Sequence, residues 1–291
     1  MMPTSLEALL VLLDLEPLEV NLFRGLSPET PHQRVFGGQV AAQALVAAGR
    51  TVDDDRRVHS LHSYFLRPGD PTIPIVYEVD RIRDGRSFTT RRVIAIQHGA
   101  AIFNLAASFQ IDEAGPDHQM AMPDVPDADD LPTVRERVEA KRKRFSDTAL
   151  DWLDRTTPIE TRHVRDPQWL DPGKREPEQD LWFRATGPMP DDPLLHACVV
   201  AYASDMSLID TATLPHALGY GGTVMTASLD HAMWFHRTFR ADEWLLYHQK
   251  SPSASGARGL AEGYVFRRDG ALAVTVIQEG LIRPVARRER A

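Results

Sequence analysis

The 291-residue chain has one cysteine, Cys198, so no intrachain disulfide can form and a reducing, cytoplasmic setting is expected. It has no basic excess. Thirty-three Lys and Arg face 41 Asp and Glu, a net charge of −8, which argues against a nucleic-acid partner. No apolar run approaches the roughly 20 residues that cross a bilayer, so no membrane insertion is expected. Leu9–Leu13 is apolar, but no basic segment precedes it and Asp14 and Glu16 follow, unlike a signal peptide. Metal-ligand spacing is also missing. His59 and His62 lie three apart and His231 and His236 five apart, which on strands places each pair on opposite faces. Neither a metal nor a cofactor is expected.

What the chain does have is a repeat. The first copy runs Ser60-Leu61-His62, Arg67, Tyr77, Asp84-Gly85-Arg86-Ser87-Phe88, then the apolar run Ala101–Phe109 closed by Gln110. The second runs Ser228-Leu229-Asp230-His231, Arg237, Tyr247, Ser255-Gly256-Ala257-Arg258-Gly259, then Ala271–Ile277 closed by Gln278. Arg67 to Arg237 and Tyr77 to Tyr247 are both 170 residues apart. A fixed offset over ordered landmarks indicates a duplicated domain.

Each copy reads as one helix and then four strands. The first helix is Ala-rich, Gly38–Ala48, followed by strands near 58–66, 74–82, 87–97 and 100–111. The second starts at Asp192-Pro193, a capping residue and a first-turn proline, and runs to about Asp205. Strands near 226–238, 243–251, 257–268 and 271–282 follow it, and further strands near 18–24 and 181–187 open the two sheets. Short turns between consecutive strands imply antiparallel sheets in an α+β layer arrangement. The expected organisation is 1–111, a connecting segment 112–180 with a helix over Val134–Leu153, and 181–291.

Three segments of the first copy carry a family resemblance: Phe36-Gly37-Gly38-Gln39, His62-Ser63-Tyr64-Phe65-Leu66-Arg67-Pro68-Gly69-Asp70 and Arg83-Asp84-Gly85-Arg86-Ser87-Phe88. Three more lie in the second: Ala203-Ser204-Asp205, Asp230-His231-Ala232-Met233-Trp234-Phe235-His236-Arg237 and Gln278-Glu279-Gly280. Together they resemble the type II (TesB-type) acyl-CoA thioesterases over about residues 18–284. The resemblance implies a duplicated (double) hotdog, with antiparallel sheets each wrapping a central helix, and hydrolysis of fatty acyl-CoA to free fatty acid and CoA. It also implies that Asp205, Ser228 and Gln278 position an attacking water. The family often has Thr where this chain has Ser228; the hydroxyl is kept and the rotamer-fixing methyl is lost.

Read from the residues alone, these positions stay open. Asp205 ends a helix, where a carboxylate opposes the macrodipole, and is either a base or a solvated surface charge. On a regular strand Ser228 shares a face with Asp230, Ala232 and Trp234, and Gln278 with Leu272, Val274 and Val276. Asp230 is the rival carboxylate, expected to serve neighbouring backbone or His231. Gly37 and Gly38 either present first-turn amides to a substrate oxyanion or make a tight turn. Lys141-Arg142-Lys143-Arg144 is either an attraction for CoA phosphates or a solvated helix face. Cys198 reads as buried and inert. Two competing functions are an enoyl-CoA hydratase of this fold and a non-catalytic acyl-CoA-binding protein. The hydratase needs a histidine soon after its aspartate, whereas His216 lies past Pro215. The sheet edges and helices of such a chain favour assembly into homo-oligomers.

Overall fold

The computed structural model describes residues 3–28, 34–144, 157–218 and 224–284. The helices are α1 (Leu6–Leu13), α2 (Gly37–Gly49), α3 (Val134–Ala140) and α4 (Pro193–Ser204). The first-half strands are β1 (Glu16–Glu19), β2 (Leu22–Gly25), β3 (Arg56–Phe65), β4 (Ile75–Asp84), β5 (Phe88–Gln97) and β6 (Ala100–Ile111). Those of the second half are β7 (Ile159–His163), β8 (Glu178–Ala185), β9 (Val224–Ser228), β10 (Asp230–Phe235), β11 (Leu245–Ser255), β12 (Arg258–Arg267) and β13 (Leu272–Pro284).

All thirteen strands of the described residues join one antiparallel sheet in the order β1-β2-β4-β5-β6-β3-β10-β13-β12-β11-β8-β7, with β9 also on β13. The halves meet where β3 pairs with β10, His62 opposite Ala232. Each half-sheet curls around its helix, and α2 packs on α4: this is the double hotdog. Because α2 is enclosed on every side, Gly38 through Ala48 are all buried. Its alanines allow close approach, and its two glutamines are satisfied. Gln43 donates to Leu12 O (2.8 Å) and accepts from Tyr77 OH (2.7 Å), while Gln39 donates to Leu26 O (3.1 Å). Buried amides kept in this way avoid a penalty of about 1–3 kcal/mol each.

Four expectations are corrected. The strand expected over 226–238 breaks at Leu229, whose amide bonds Glu279 O while its carbonyl accepts Phe65 N–H. The break reverses strand parity, so Ser228 turns inward together with His231 and Met233, away from the outer-face residues Ala232 and Trp234. A bulge at His59 similarly places His59 and His62 on the same outer face, against Ser108 and Trp234 respectively. Leu272 packs with the outer cluster, so Gln278 shares the inner face with Val274 and Val276 only. The helix expected over Val134–Leu153 stops at Ala140, then turns through Arg142–Arg144; residues 145–153 of that expectation lie outside the described ones. Arg137 (2.5 Å) and Lys141 (2.6 Å) both reach back to Asp166, which ties the segment down where the helix ends.

The connecting segment straps the outer face of the second half-sheet. Ala128 and Leu131 pack on Trp182, Trp244, Leu246 and Phe266. Trp182 Nε1 donates to Pro126 O (2.9 Å), and Gln119 pairs with the backbone of Gly270 and Leu272. Residues 159–163 supply the edge strand β7. α1, which has no counterpart in the sequence reading, buries Leu6, Leu9, Leu12 and Leu13, is capped by Ser5, and lies against α2.

Candidate active site

The two central helices set the site. Asp205 follows the last turn of α4, and Gly37 opens α2, so the end of one helix meets the start of the other. Asp205 is buried at 8% exposure, which removes the alternative of a solvated surface charge. The positive end of α2 offsets its position at the negative end of α4. The N-cap residue of α2, Phe36, gives no side-chain cap. The first-turn amides of α2 are thus left to other partners.

Two strands grip the carboxylate. Ser228 Oγ, from the end of β9, donates to Asp205 Oδ1 at 2.8 Å. Gln278 Nε2, from β13, donates to the same oxygen at 2.5 Å. The other oxygen, Oδ2, faces α2: a methyl group on Gly37 would lie 2.7 Å from it. Gly38 is equally confined, since a methyl there would meet Tyr202 O at 2.5 Å. Glycine is required at both positions by close approach alone. All five residues singled out by sequence therefore converge. Their arrangement differs from the expectation in one respect, because Ser228 and Gln278 both hold the carboxylate. Gln278 is fully buried, and its Oε1 has no hydrogen-bond partner among the described residues.

The rival carboxylate, Asp230, is engaged by backbone, its Oδ1 accepting Glu279 N–H at 2.6 Å. Burial raises its pKa, and that hydrogen bond opposes the rise. Four residues beside Asp205 were given no part in the site by the sequence reading. Asp210 is half-buried; burial, with Asp205's charge adding, pushes its pKa up to about 7. His231 is fully buried and its pKa is lowered by that burial, against the pull of Asp205. Ser204 meets His231 Nε2 at 2.9 Å, and Tyr247 OH donates to Ser204 O at 3.2 Å. Tyr247 and His231 were landmarks of the repeat and Ser204 lay in the motif Ala203-Ser204-Asp205, whereas Asp210 carried no signal.

Among the described residues, the grouping with metal-ligand spacing is Glu178, Asp180 and His248. It lies on the opposite face of the sheet from Asp205. The alternating residues Gln179 and Gln249 point inward, to Thr211 and Ser207. His248 Nδ1 and Asp180 are hydrogen-bonded at 2.7 Å, and Glu178 is 3.9 Å from Lys250. Lys141 and Arg142 of the basic run are paired with Asp166 (2.6 Å) and Glu139 (3.4 Å). Cys198 is buried in α4, and burial raises its thiol pKa. No helix among the described residues is long and apolar enough to span a membrane.

Comparison with known proteins assigns the chain to a family. Residues 26–110 match the family model of the acyl-CoA thioesterase N-terminal domain, and residues 153–281 match that of the acyl-CoA thioesterases. Acyl-coenzyme A thioesterase 8 of Mus musculus is 46% identical over 287 residues, 93% of this chain and 87% of that protein. The crystal structure of the acyl-CoA thioesterase II TesB2 from Mycobacterium marinum is similar at 47% identity and TM-score 0.78, covering 96% of this chain and 99% of that one. A protein from Alicyclobacillus acidocaldarius described as having a hot dog fold is 21% identical with TM-score 0.77 over 96% of this chain and 99% of that one, and supports the fold alone. The chain belongs to the acyl-CoA thioesterase family and is a thioester hydrolase.

Proposed function

We propose that the chain hydrolyses fatty acyl-CoA to free fatty acid and CoA by direct attack of water, with Asp205 as the general base. The observation that carries this reading is the asymmetry of the carboxylate. Oδ1 is anchored by Ser228 and Gln278, while Oδ2 faces the uncapped start of α2. In this mechanism Asp205 Oδ2 takes one proton of the water. Gln278 Oε1, a buried acceptor without a partner among the described residues, accepts the other O–H and turns the oxygen lone pair to the thioester carbon. Ser228 positions the base. The carbonyl oxygen, as it becomes an oxyanion, lies at the first-turn amides of Gly37 and Gly38. Collapse breaks the C–S bond, and the proton held by Asp205 passes to the departing thiolate.

Ser228 is not the nucleophile in this reading. Its hydroxyl donates to a carboxylate already shared with Gln278, and it lies at a strand end rather than on a strained elbow. Rapid mixing with an acyl-CoA should give no burst of CoA. In H2 18O, single-turnover product acid should carry one labelled oxygen, and mass spectrometry of quenched enzyme should show no adduct. An acyl group trapped on Ser228 would overturn direct attack and leave the thioesterase assignment standing.

A further inference from the structure

Ser204 is the residue before the base, and nothing of it is exposed. Its hydroxyl has one proton. Ala201 O, 3.1 Å away, can only accept it. His231 Nε2, 2.9 Å away, must then be the donor to Ser204 Oγ, which assigns the Nε2–H tautomer. Nδ1 is left as an acceptor in a fully buried ring, without a partner among the described residues. The carbonyl of Ser204, which belongs to the peptide leading into Asp205, accepts the Tyr247 hydroxyl at 3.2 Å. The end of α4 is therefore tied to β10 by its side chain and to β11 by its carbonyl. His231 is itself fixed across the seam between the halves, its backbone oxygen accepting Ser63 Oγ at 2.8 Å.

We infer that His231 is a positioning residue of the hydrolysis: as a neutral Nε2–H donor it locks Ser204, and with Tyr247 it sets where the Asp205 carboxylate stands against α2. This rests on Asp205 being the base. The clearance at Gly37 shows how little the base can move, since Oδ2 would lie 2.7 Å from a single added methyl. A displacement of about 1 Å in a reacting group can cost about 10²-fold in rate. Burial supports the neutral form, because a second proton on Nδ1 would make a buried N–H donor with no acceptor among the described residues.

The test is steady-state kinetics with an acyl-CoA, run well below the melting temperature of each variant. His231→Leu should lower kcat by about 10- to 100-fold with KM little changed. His231→Gln, whose amide N–H reaches the place of Nε2, should recover most of that loss. In an Asp205→Asn background, His231→Leu should lower kcat no further. Wild-type kcat in His231→Leu, no recovery in His231→Gln, or an additive double variant would each overturn the lock. Near-wild-type turnover of Asp205→Asn alone would instead remove the base assignment. If His231→Leu does not fold, Ser204→Ala and Tyr247→Phe carry the test: the same kcat loss supports the lock, and wild-type kcat in both overturns it.

Discussion

The two halves share one frame and fill it differently. Gln278 on β13 pairs with Ala261 on β12; at the matching place in the first half, Ala107 on β6 pairs with Arg91 on β5. The second half thus places an amide from one strand, and the first a guanidinium from its neighbour. Arg91 is 2% exposed and donates to Thr51 Oγ1 (2.9 Å), Thr51 O (2.9 Å) and Asp84 (2.6 Å), closing the space after α2. After α4 the same space holds Asp205, with Gln278 Oε1 unpartnered among the described residues. The helix starts differ in the opposite sense. Asp192 caps α4 by accepting Leu194 N–H at 2.9 Å, and Pro193 has no amide proton to offer, whereas Phe36 gives α2 no side-chain cap. Each half thus leaves one group for a visitor, the second the acceptor Gln278 Oε1 and the first the start of α2, which is what a site needs and a scaffold avoids.

The sharpest way to break this comparison is at Asp205. Asp205→Asn keeps the shape and an acceptor for Ser228 but removes the base, and turnover should fall about 10²-fold or more with folding little changed. If Asp230→Asn were inactive but folded while Asp205→Asn turned over normally, the wrong carboxylate would have been chosen. Arg91→Met should do the reverse. It strands the two acceptors of Thr51 and should lower unfolding free energy by about 2–4 kcal/mol in denaturant titration. The kcat of the folded fraction should stay near wild type. A kcat collapse there would mean that Arg91 itself serves the reaction.

Ser228 sharpens the comparison at a smaller scale. Ser228→Thr should keep most of the activity, because it keeps the donor to Asp205 Oδ1. Ser228→Ala should lose about 10-fold, because Gln278 still holds that oxygen. Total loss in both would mean that the hydroxyl does more than orient the base. The smallest effect belongs to Asp210. Its folded pKa, about 7, lies above the ordinary carboxylate value, so between about pH 4 and pH 7 the folded state retains a proton that the unfolded state has released. Stability therefore falls as pH rises through that window and stays lowered above it. Asp210→Asn should match wild type near pH 4 and melt higher at pH 8, by about 1–2 kcal/mol once partial exposure is allowed for. Equal melting at both pH values would show that Asp210 ionises normally.

Much of this was legible in the chain. Strand alternation and turn signals placed the eight main strands, since a half-buried strand must alternate and a hairpin must turn. The cap at Asp192 placed the start of α4. Illegible features were those in which one residue shifts the register. Sequence periodicity cannot foresee the breaks at Leu229 and His59, because backbone pairing to neighbouring strands decides them. The landmark Gln110 shows the same limit. It was matched to Gln278 by sequence, yet it pairs with Arg57 and Phe88 near the sheet rim and bonds Glu113 at 3.0 Å. The candidate site residues were visible through motifs. That two of them would grip one oxygen of Asp205 was not, because it depends on distances between α4, β9 and β13.

The seam between β3 and β10 has a consequence for how the chain reaches this structure. Ser63 meets His231 there, 168 residues later in sequence. When the first half has left the ribosome, β3 is still an unpaired edge, and α2, buried along nearly its whole length in the finished protein, has no α4 to lie against. Only when β10 arrives is that edge closed, and β10 carries His231 with it. Until then the nascent chain presents an open strand to any other copy in the same condition, so its period of greatest exposure to misassembly is set by the time needed to synthesise the second half.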